Sequence, residues 1–254
     1  MKNPLTSVAK RVARLRRTPV VARRRGAQFL LDPGNWIDNR MLAGAPYEDG
    51  QIAAAREVII RDSLDLFIDI GANIGLYTVL LGLETSITSV VAFEPVARNH
   101  AQLMANLFLN GLTGKVEVHR IGLGASSSEV MIHIDPKSTG LSRVDLATAG
   151  RAREVFTESE IIRVEPFDRM CQMTGRRAYA KIDVEGHALA VLQGMSAFLQ
   201  NNVAVLQVEL QSSESEAVVA YLGQRGFRLD RQIEGDGMFV CGTAPNDRVK
   251  DQGH

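Results

Sequence analysis

Three ionisable side chains, Lys181, Asp183 and Glu185, stand at every second position in one short segment of the chain. The surrounding residues 178–184 are otherwise apolar and predict a buried strand, on which alternate side chains share one face. A buried central strand should be continuously apolar, because unpaired charges there pay a desolvation cost. We therefore expect these groups at the wet carboxyl end of the strand, in contact with cofactor or substrate. The alternative is a self-contained Lys181–Asp183 pair, with Glu185 capping the next helix.

Carboxylates at such a position can act as general bases. Asp183 and Glu185 are the first catalytic candidates, and His187, at the start of the next predicted helix, is a further one. Glu209 lies in the predicted strand 203–210, so it should lie beside Asp183 at the same edge of the sheet. Two carboxylates could hold a divalent cation there. Because no third ligand stands at a fixed spacing, we predict no metal and keep the Asp183–Glu209 pair as the alternative.

A glycine-rich turn follows the apolar segment 65–70. Glycine allows a tight turn and close approach of the backbone to a ligand, and the next helix supplies free N–H groups. A dinucleotide loop needs glycine at its first, third and sixth positions, which here are Gly71, Asn73 and Leu76. This spacing disfavours NAD. The candidate cofactor-binding residues of this turn are Asp69, Gly71, Ala72, Asn73 and Gly75, and Asp183 joins them from the charged segment.

Glu94 directly follows the next predicted strand, 89–93, and stands 23 residues after Gly71. An acid at this place can accept hydrogen bonds from the hydroxyls of a ribose. The alternative is a surface carboxylate that caps the helix after Pro95. The glycine-rich turn upstream favours the ribose interpretation, so Glu94 is a further cofactor-binding candidate.

Strands and helices alternate along the chain in a way that would bring these groups together. Strands are predicted at 28–31, 65–70, 89–93, 115–121, 130–134, 178–184, 203–210, 227–230 and 238–241, and helices at 51–61, 75–83, 96–110, 187–199 and 214–225. The alternation predicts an α/β fold with a mainly parallel, seven-stranded sheet and helices on both faces. The last two strands should form an antiparallel hairpin. This is the Rossmann-like arrangement of class I methyltransferases.

Three motifs occur in a fixed order, and together they are more specific than any one alone. They are F-I-D-I-G-A-N-I-G-L-Y-T, V-A-F-E-P, and K-I-D-V-E-G with V-L-Q-G shortly after it. With the Ala45-Pro46-Tyr47-Glu48 stretch, they resemble the FkbM family of S-adenosylmethionine-dependent methyltransferases over residues 26–243. The resemblance implies methylation of a hydroxyl oxygen, often on a sugar or secondary metabolite. It also implies that the cofactor is held by Asp69, Gly71, Asn73 and Glu94.

One departure from the family pattern follows the K-I-D-V-E-G motif. Where the family usually continues with Ala-Glu, this chain has His187-Ala188. Any role of that second glutamate is therefore absent here, and His187 is an addition that the resemblance does not explain.

Charge divides the chain into a basic arm and an acidic body. Residues 1–25 hold nine of the 29 Lys and Arg residues and no acid, so the remainder carries 29 − 9 = 20 basic against 29 acidic residues. Such a body is a poor partner for nucleic acid. We expect a basic arm at 1–25, a substrate-side region at 26–62, an S-adenosylmethionine-binding domain at 63–243 and a tail at 244–254.

The arm carries Leu5, Val8, Val12 and Leu15 at helical spacing between its basic residues. It predicts either a mobile solvated arm or a basic amphipathic helix with weak contact to an anionic membrane surface. No apolar stretch is long enough to cross a bilayer. Cys171 and Cys241 have no metal-site or disulfide-framework spacing, which favours a reducing, cytoplasmic location, at most at the membrane periphery. The oligomeric state stays open.

The sequence therefore predicts an enzyme, an S-adenosylmethionine-dependent O-methyltransferase that acts on a small-molecule or glycan hydroxyl. Two alternatives are an NAD-dependent oxidoreductase, which the glycine spacing disfavours, and a non-catalytic nucleotide-binding module, which the intact acid and glycine positions disfavour. Residues 26–62 and 136–159 are expected to contact the acceptor. Arg143, Arg151 and Arg153 are expected on a solvated face, with contact to an anionic acceptor as the alternative.

Overall fold

The central feature of the protein is a seven-stranded sheet between two layers of helices. The structure is a computed structural model that describes residues 18–145 and 153–241, together with Lys10. Its strands are β1 (Val20–Arg24), β2 (Ala27–Leu31), β3 (Leu66–Ile70), β4 (Ser89–Phe93), β5 (Val116–His119), β6 (Gly122–Leu123), β7 (Ser128–Ile134), β8 (Glu158–Glu165), β9 (Arg177–Ile182), β10 (Val203–Glu209), β11 (Phe227–Ile233) and β12 (Asp236–Cys241). Its helices are α1 (Trp36–Leu42), α2 (Asp49–Arg61), α3 (Leu76–Gly82), α4 (Ala97–Leu109), α5 (Phe167–Met170), α6 (Ala188–Gly194), α7 (Ser196–Asn201) and α8 (Ser215–Gly223).

The strand order of the central sheet is β11-β12-β10-β9-β3-β4-β5. The five strands from β10 to β5 are parallel, whereas β12 is antiparallel to both β10 and β11. The order reverses beside β3, because the chain continues to β4 on one side and later to β9 on the other. This is the class I methyltransferase sheet, and it confirms the predicted fold class and the C-terminal hairpin.

Strand β3 shows how the sheet separates two apolar cores. All five of its residues are buried. Phe67 packs with Leu80 of α3, whereas Ile68 belongs to the core that contains Leu192 of α6. Since alternate side chains of a strand point to opposite faces, the helices must cover both faces, as the uninterrupted apolar pattern of this segment predicts.

Two smaller sheets flank the central one. Strands β1 and β2 form an antiparallel hairpin, and β6, β8 and β7 form a three-stranded sheet. The hairpin corrects the predicted arm at 1–25, because residues 20–24 pair with β2 and belong to the folded body. The four apolar arm residues and the tail at 244–254 lie outside the described residues. Among the helices that are described, none is long and apolar enough to span a bilayer.

Asn106 of α4 connects the hairpin to the glycine-rich turn. The backbone N–H of Leu30 donates to Asn106 Oδ1 over 2.6 Å, and Asn106 Nδ2 donates to the carbonyl oxygen of Ile74 over 2.8 Å. The Asn106 side chain is fully buried, so both bonds are shielded from water. A side chain of α4, the second helix after the turn, therefore supports the conformation of the turn.

The helix predicted at 187–199 is divided into α6 and α7 in the structure. The division has a local cause in Asp168, whose carboxylate accepts hydrogen bonds from the backbone N–H groups of Ala197 and Phe198 over 2.7 and 2.9 Å. Such bonds satisfy the free donors of a new helix start. The apolar periodicity that predicted one helix does not reveal this distant cap.

Candidate active site

A cavity of about 770 Å³ opens at the carboxyl ends of the central strands. It lies where the strand order reverses, which is the usual ligand-binding place in an open α/β sheet. Inner-face side chains of β7 and β8 close one side. Gly75 is absent from the lining and instead precedes α3. The other predicted site residues line the cavity, namely Asp69, Gly71, Ala72, Asn73, Glu94, Asp183, Glu185, His187 and Glu209.

Gly71 brings the glycine-rich turn into contact with the end of β9. Its φ is +83°, and a Cβ atom added there would lie 1.8 Å from the carbonyl oxygen of Asp183. The backbone N–H groups of Gly71 and Ala72 both donate to the carbonyl oxygen of Phe93 over 3.0 Å. Only glycine fits this position, because both the backbone conformation and the space exclude a side chain.

Gly71→Ala should lower the free energy of unfolding by about 3 kcal/mol or more, because backbone strain and a steric clash each cost roughly 1–3 kcal/mol. Denaturant unfolding would measure the loss. Gly111→Ala is the matched control: its φ is also positive, at +67°, but its added Cβ would contact nothing. The control should therefore lose only about 1 kcal/mol. Equal losses in both variants would contradict the proposed clash.

The Glu94 carboxylate is held against the glycine-rich turn. The backbone N–H of Asn73 donates to Glu94 Oε2 over 2.8 Å, and that of Val96 donates to Oε1 over 2.9 Å. Asn73 reaches this position with a left-handed φ of 51°, which asparagine tolerates better than most residues. Burial raises the pKa of Glu94 to about 7, although both N–H groups favour the anion. Glu94 therefore caps the turn before α4 and also lines the cavity.

Asp69 lies beneath the same turn. Thr78 Oγ1 donates to Asp69 Oδ2 over 2.5 Å, which ties the end of β3 to α3. Asp69 is only 1% exposed, and this burial raises its pKa to about 6 against the attraction of the Lys181 ammonium. Its position in the lining agrees with a cofactor contact, and its bond to Thr78 gives it a structural role as well.

The Lys181–Asp183 pair lies at the end of β9, on the other side of β3 from Glu94. The strand predicted at 178–184 ends at Ile182, so Asp183 lies just beyond β9. Lys181 Nζ donates to Asp183 Oδ2 over 2.6 Å and lies 4.6 Å from the ring centroid of Tyr77. Burial disfavours the charged lysine, but the nearby carboxylates, Asp183 foremost, raise the pKa of Lys181 well above its ordinary value. Asp183 is thereby anchored while its side chain stays 32% exposed.

Glu185 and Glu209 complete a group of three carboxylates with Asp183. Oxygen atoms of these three residues lie within 4.8 Å of one another. Gln211 Nε2 donates to Glu185 over 2.8 Å and to Glu209 over 3.3 Å. Burial raises the pKa of Glu209 to about 8, and the neighbouring carboxylates add to the effect. The structure thus brings Glu185 to Asp183 and Glu209 as the third carboxylate that the sequence pattern lacked for a divalent cation.

Arg143 is only 14% exposed, so its prediction as part of a solvated face is wrong. Its side chain is largely enclosed and Nη2 donates to Glu185 Oε2 over 2.8 Å. Arg153 is exposed, as expected, and Arg151 lies outside the described residues. The ion pair stabilises the Glu185 anion. Glu185 is also less accessible than Asp183, with 11% of its side chain exposed against 32%, and burial raises the pKa of Glu185.

His187 stands at the N-terminal cap of α6 and lines the cavity. Its side chain makes no capping hydrogen bond within the described part of the chain. The position agrees with the predicted place at the cavity edge, and its role as a base stays a prediction.

Tyr47, Glu48 and Tyr77 line the cavity but were not among the predicted site residues. Glu48 adopts a left-handed φ of 55°, a conformation that costs energy in a residue other than glycine. Their sequence context could have identified them, because Tyr47 and Glu48 belong to the Ala45-Pro46-Tyr47-Glu48 stretch and Tyr77 to the G-L-Y-T motif. The spacing of polar and apolar residues does not mark Tyr47 and Glu48 as cavity residues. They precede β3 in the chain and reach the cavity only through the tertiary fold.

The cavity thus combines two chemical features, which lie on either side of the end of β3. On one side, Glu94 and the turn present a carboxylate and backbone to a hydroxyl-bearing ligand. On the other, Asp183 presents a partly exposed carboxylate that can accept a proton. Such an arrangement can bind a nucleoside-like molecule and carry out proton-coupled chemistry at its far end.

Comparison with known proteins assigns the chain to a family. The family model described as the methyltransferase FkbM domain matches residues 69–229. Methyltransferase 1 of Beauveria bassiana is 24% identical over 180 residues, which cover 64% of this chain and 72% of that protein. Hexuronic acid methyltransferase AglP of Haloferax volcanii is 27% identical over 188 residues, which cover 72% of each.

Similar solved structures include an FkbM methyltransferase from Methylobacillus flagellatus, with a TM-score of 0.47 and 19% sequence identity. The similarity covers 70% of this chain and 43% of that one, so the present chain spans less than half of its length. TYW2 of M. jannaschii, solved in complex with AdoMet, has a TM-score of 0.46 and 14% identity, covering 89% of this chain and 84% of that one.

Proposed function

Because this chain belongs to the FkbM methyltransferase family, we propose that it transfers the methyl group of S-adenosylmethionine to a hydroxyl oxygen of a sugar, glycan or secondary metabolite. The observation that carries the proposal is the pairing of Glu94 and Asp183 in one cavity. Glu94 would bind the ribose of the donor, and Asp183 would receive the proton of the acceptor hydroxyl.

The residues of the turn fit the donor. The Glu94 carboxylate offers about four lone-pair positions, of which the hydrogen bonds from Asn73, Val96 and Asn99 use three. Asn73 Oδ1 is buried and accepts no hydrogen bond from any described residue. A hydroxyl or ammonium donor of a bound ligand would relieve the cost of that unpaired oxygen. Because Gly71 carries no side chain, the ligand can also approach the backbone closely.

The bound sulfonium would supply an electrophilic methyl carbon with a good leaving group. The task of the protein is then to hold the acceptor oxygen in line with the carbon–sulfur bond and to exclude water, which can account for roughly 7–11 kcal/mol of the barrier. The Asp183 carboxylate would take up the proton that the acceptor hydroxyl loses when its oxygen is methylated. Lys181 fixes the orientation of Asp183 through the 2.6 Å hydrogen bond.

The charges around the cavity support an acceptor without a negative charge near the reacting hydroxyl. Its described lining includes the acidic residues Glu48, Asp69, Glu94, Asp135, Asp183, Glu185 and Glu209. Lys181 is the lysine in this lining, and it is already paired with Asp183. An anionic acceptor would therefore face repulsion without a free cation to compensate it. We propose a neutral hydroxyl compound, in contrast to the hexuronic acid named for AglP.

Donor affinity should depend on the ionisation of Glu94. Its pKa of about 7 in the ligand-free protein means that the carboxylate, which accepts the ribose hydrogen bond, becomes protonated as the pH falls below 7. Binding of S-adenosylhomocysteine should weaken by up to about tenfold per pH unit below that point. Titration calorimetry between pH 8 and 6 would measure the slope. The Glu94→Gln variant should lose this slope, and an unchanged slope would assign it to another group.

The proposed reaction can be tested directly. The protein is incubated with S-adenosylmethionine carrying a labelled methyl group and with an extract of the organism that produces it. Transfer of label to an extract component is the expected result, together with binding of S-adenosylhomocysteine and no binding of NAD in calorimetry. Absence of S-adenosylhomocysteine binding would contradict the proposal.

A further inference from the structure

A second cavity of about 420 Å³ lies beside the one that contains the carboxylate group. Tyr47 and Glu48 line both cavities. The short segment between α1 and α2 is therefore the boundary between them. The two cavities are therefore adjacent, with Tyr47 and Glu48 between them.

The second cavity is lined mainly by polar side chains. Gln51 is 6% exposed, and its Oε1 has no hydrogen-bond partner among the described residues. Arg40 Nε is likewise buried without a partner in that part of the chain, although Nη2 donates to the carbonyl oxygen of Pro46. Glu48, Asp49 and Glu234 supply carboxylates. Both a donor and an acceptor are thus left unsatisfied in a small volume, which is unusual for buried groups.

Hydroxyl groups match this lining better than other common ligand groups. A hydroxyl can donate to Gln51 Oε1 or to a carboxylate, and it can also accept from Arg40. An apolar ligand would leave these groups unpaired, at about 1–3 kcal/mol each. An anionic ligand would meet three carboxylates against the one guanidinium of Arg40 in the described lining, and Arg25 already pairs with Asp49.

The second cavity is also connected to the catalytic end by charge. Glu48 lies close enough to Lys181 to attract its ammonium group, and Lys181 holds Asp183. The residue between the two cavities therefore belongs to the same electrostatic cluster as the predicted base. A ligand that contacts Glu48 would therefore lie near the Lys181–Asp183 pair.

We propose that the second cavity is an acceptor subsite that holds a second polyhydroxylated unit, so that the protein methylates a neutral acceptor of at least two linked sugar-like units. The proposal rests on the proposed function, because it assigns the methylated unit to the first cavity. It extends that function by naming the size and the chemistry of the acceptor.

Binding of neutral saccharides to the protein saturated with S-adenosylhomocysteine tests the proposal. The compounds are glucose, maltose, cellobiose and lactose, and glucuronic acid serves as the charged counterpart of glucose. Trp36 provides the readout, since it is the single tryptophan of the chain, lines the first cavity and lies 4.8 Å from the Arg40 guanidinium. Calorimetry in the same samples measures the affinities and the occupancy of S-adenosylhomocysteine.

At least one disaccharide should bind about tenfold or more tightly than glucose, since two hydrogen bonds of ordinary strength suffice for that factor. Glucuronic acid should bind more weakly than glucose. Gln51→Leu should reduce the disaccharide advantage to about threefold or less. Glu234→Gln should have the same effect, and this change should not impair folding because Glu234 is exposed. Gln200→Leu, at an exposed position in α7, is the control that should retain the advantage.

Equal binding of glucose and all three disaccharides would overturn the proposal, and so would a disaccharide advantage that survives in both variants. Tighter binding of glucuronic acid than of glucose would overturn the neutral class of acceptor. These results are distinguishable from a failure of the proposed function, because S-adenosylhomocysteine would still bind. If S-adenosylhomocysteine does not bind, both the methyltransferase proposal and the subsite proposal are contradicted.

Discussion

Replacing Asp183 with asparagine should lower methyl transfer by about 10²–10⁴-fold, the usual contribution of a general base. Asparagine keeps a side-chain oxygen that can accept the hydrogen bond from Lys181, but its amide cannot take up the acceptor proton. Affinity for S-adenosylhomocysteine should change by no more than roughly threefold, because the donor's ribose is held by Glu94 on the other side of β3. Transfer of labelled methyl groups and calorimetry would measure the two quantities separately.

The matched control for this change is Asp65→Asn. Asp65 precedes β3 at the opposite end of the sheet and forms an ion pair with Arg176. It should retain full transfer, whereas a similar loss in both variants would indicate damage to the sheet. Thermal unfolding of Asp183→Asn must also be measured, since Lys181 is buried and relies on its carboxylate partners. Unchanged transfer would exclude Asp183 as the base and leave Glu185 and His187 as candidates.

Replacing Glu94 with glutamine should weaken binding of S-adenosylhomocysteine by about 10–100-fold, since a hydrogen bond to a charged group contributes roughly 1.5–3 kcal/mol. The amide can still accept at one oxygen, but its nitrogen would face an N–H group of Asn73 or Val96. The variant therefore loses the anion and part of the support of the turn. Calorimetry at pH 8, where Glu94 is largely ionised, gives the full difference.

Glu160→Gln is the matched control for Glu94→Gln, because it changes a carboxylate that supports the start of α4 outside the cavity lining. Glu160 also accepts from the start of α4, through the backbone N–H of Ala97 over 3.1 Å, and pairs with Arg120. It is not part of the described cavity lining. The control should therefore bind S-adenosylhomocysteine as the unmodified protein does. Equal affinities of the Glu94 variant and the unmodified protein would remove the proposed ribose contact.

The parts of the fold that the sequence predicted are those with local causes. The buried strand before Gly71 and the acid after the next strand have short-range patterns, and regular alternation of elements implies a parallel sheet. Strand β8 was not predicted. Its apolar residues do not share one face, because Ile162 and Val164 are buried whereas Ile161 is exposed opposite Met131. Its pairing with β7 is a long-range contact, so the segment lacks a clear pattern of its own.

The site was predictable to the same extent. Asp183, Glu185 and Glu209 were expected at one edge because the carboxyl ends of parallel strands meet there, and they do lie together. Arg143 was not expected there, since its partner Glu185 is 42 residues away in sequence. The division between α6 and α7 depends on Asp168 in the same way. Side chains whose partners are set by tertiary folding leave no trace in local spacing.

The hydrogen bonds of Asn106 to Leu30 and to the glycine-rich turn determine how far the protein can be truncated at its N-terminal side without loss of either contact. The match to the family model begins at Asp69. The buried Asn106 side chain nevertheless bonds both to Leu30, which lies before that residue, and to Ile74, which lies after it. A fragment that starts at the family border would keep the turn's sequence but lose part of its scaffold. A fragment that also contains the hairpin of β1 and β2 would keep both hydrogen bonds of Asn106.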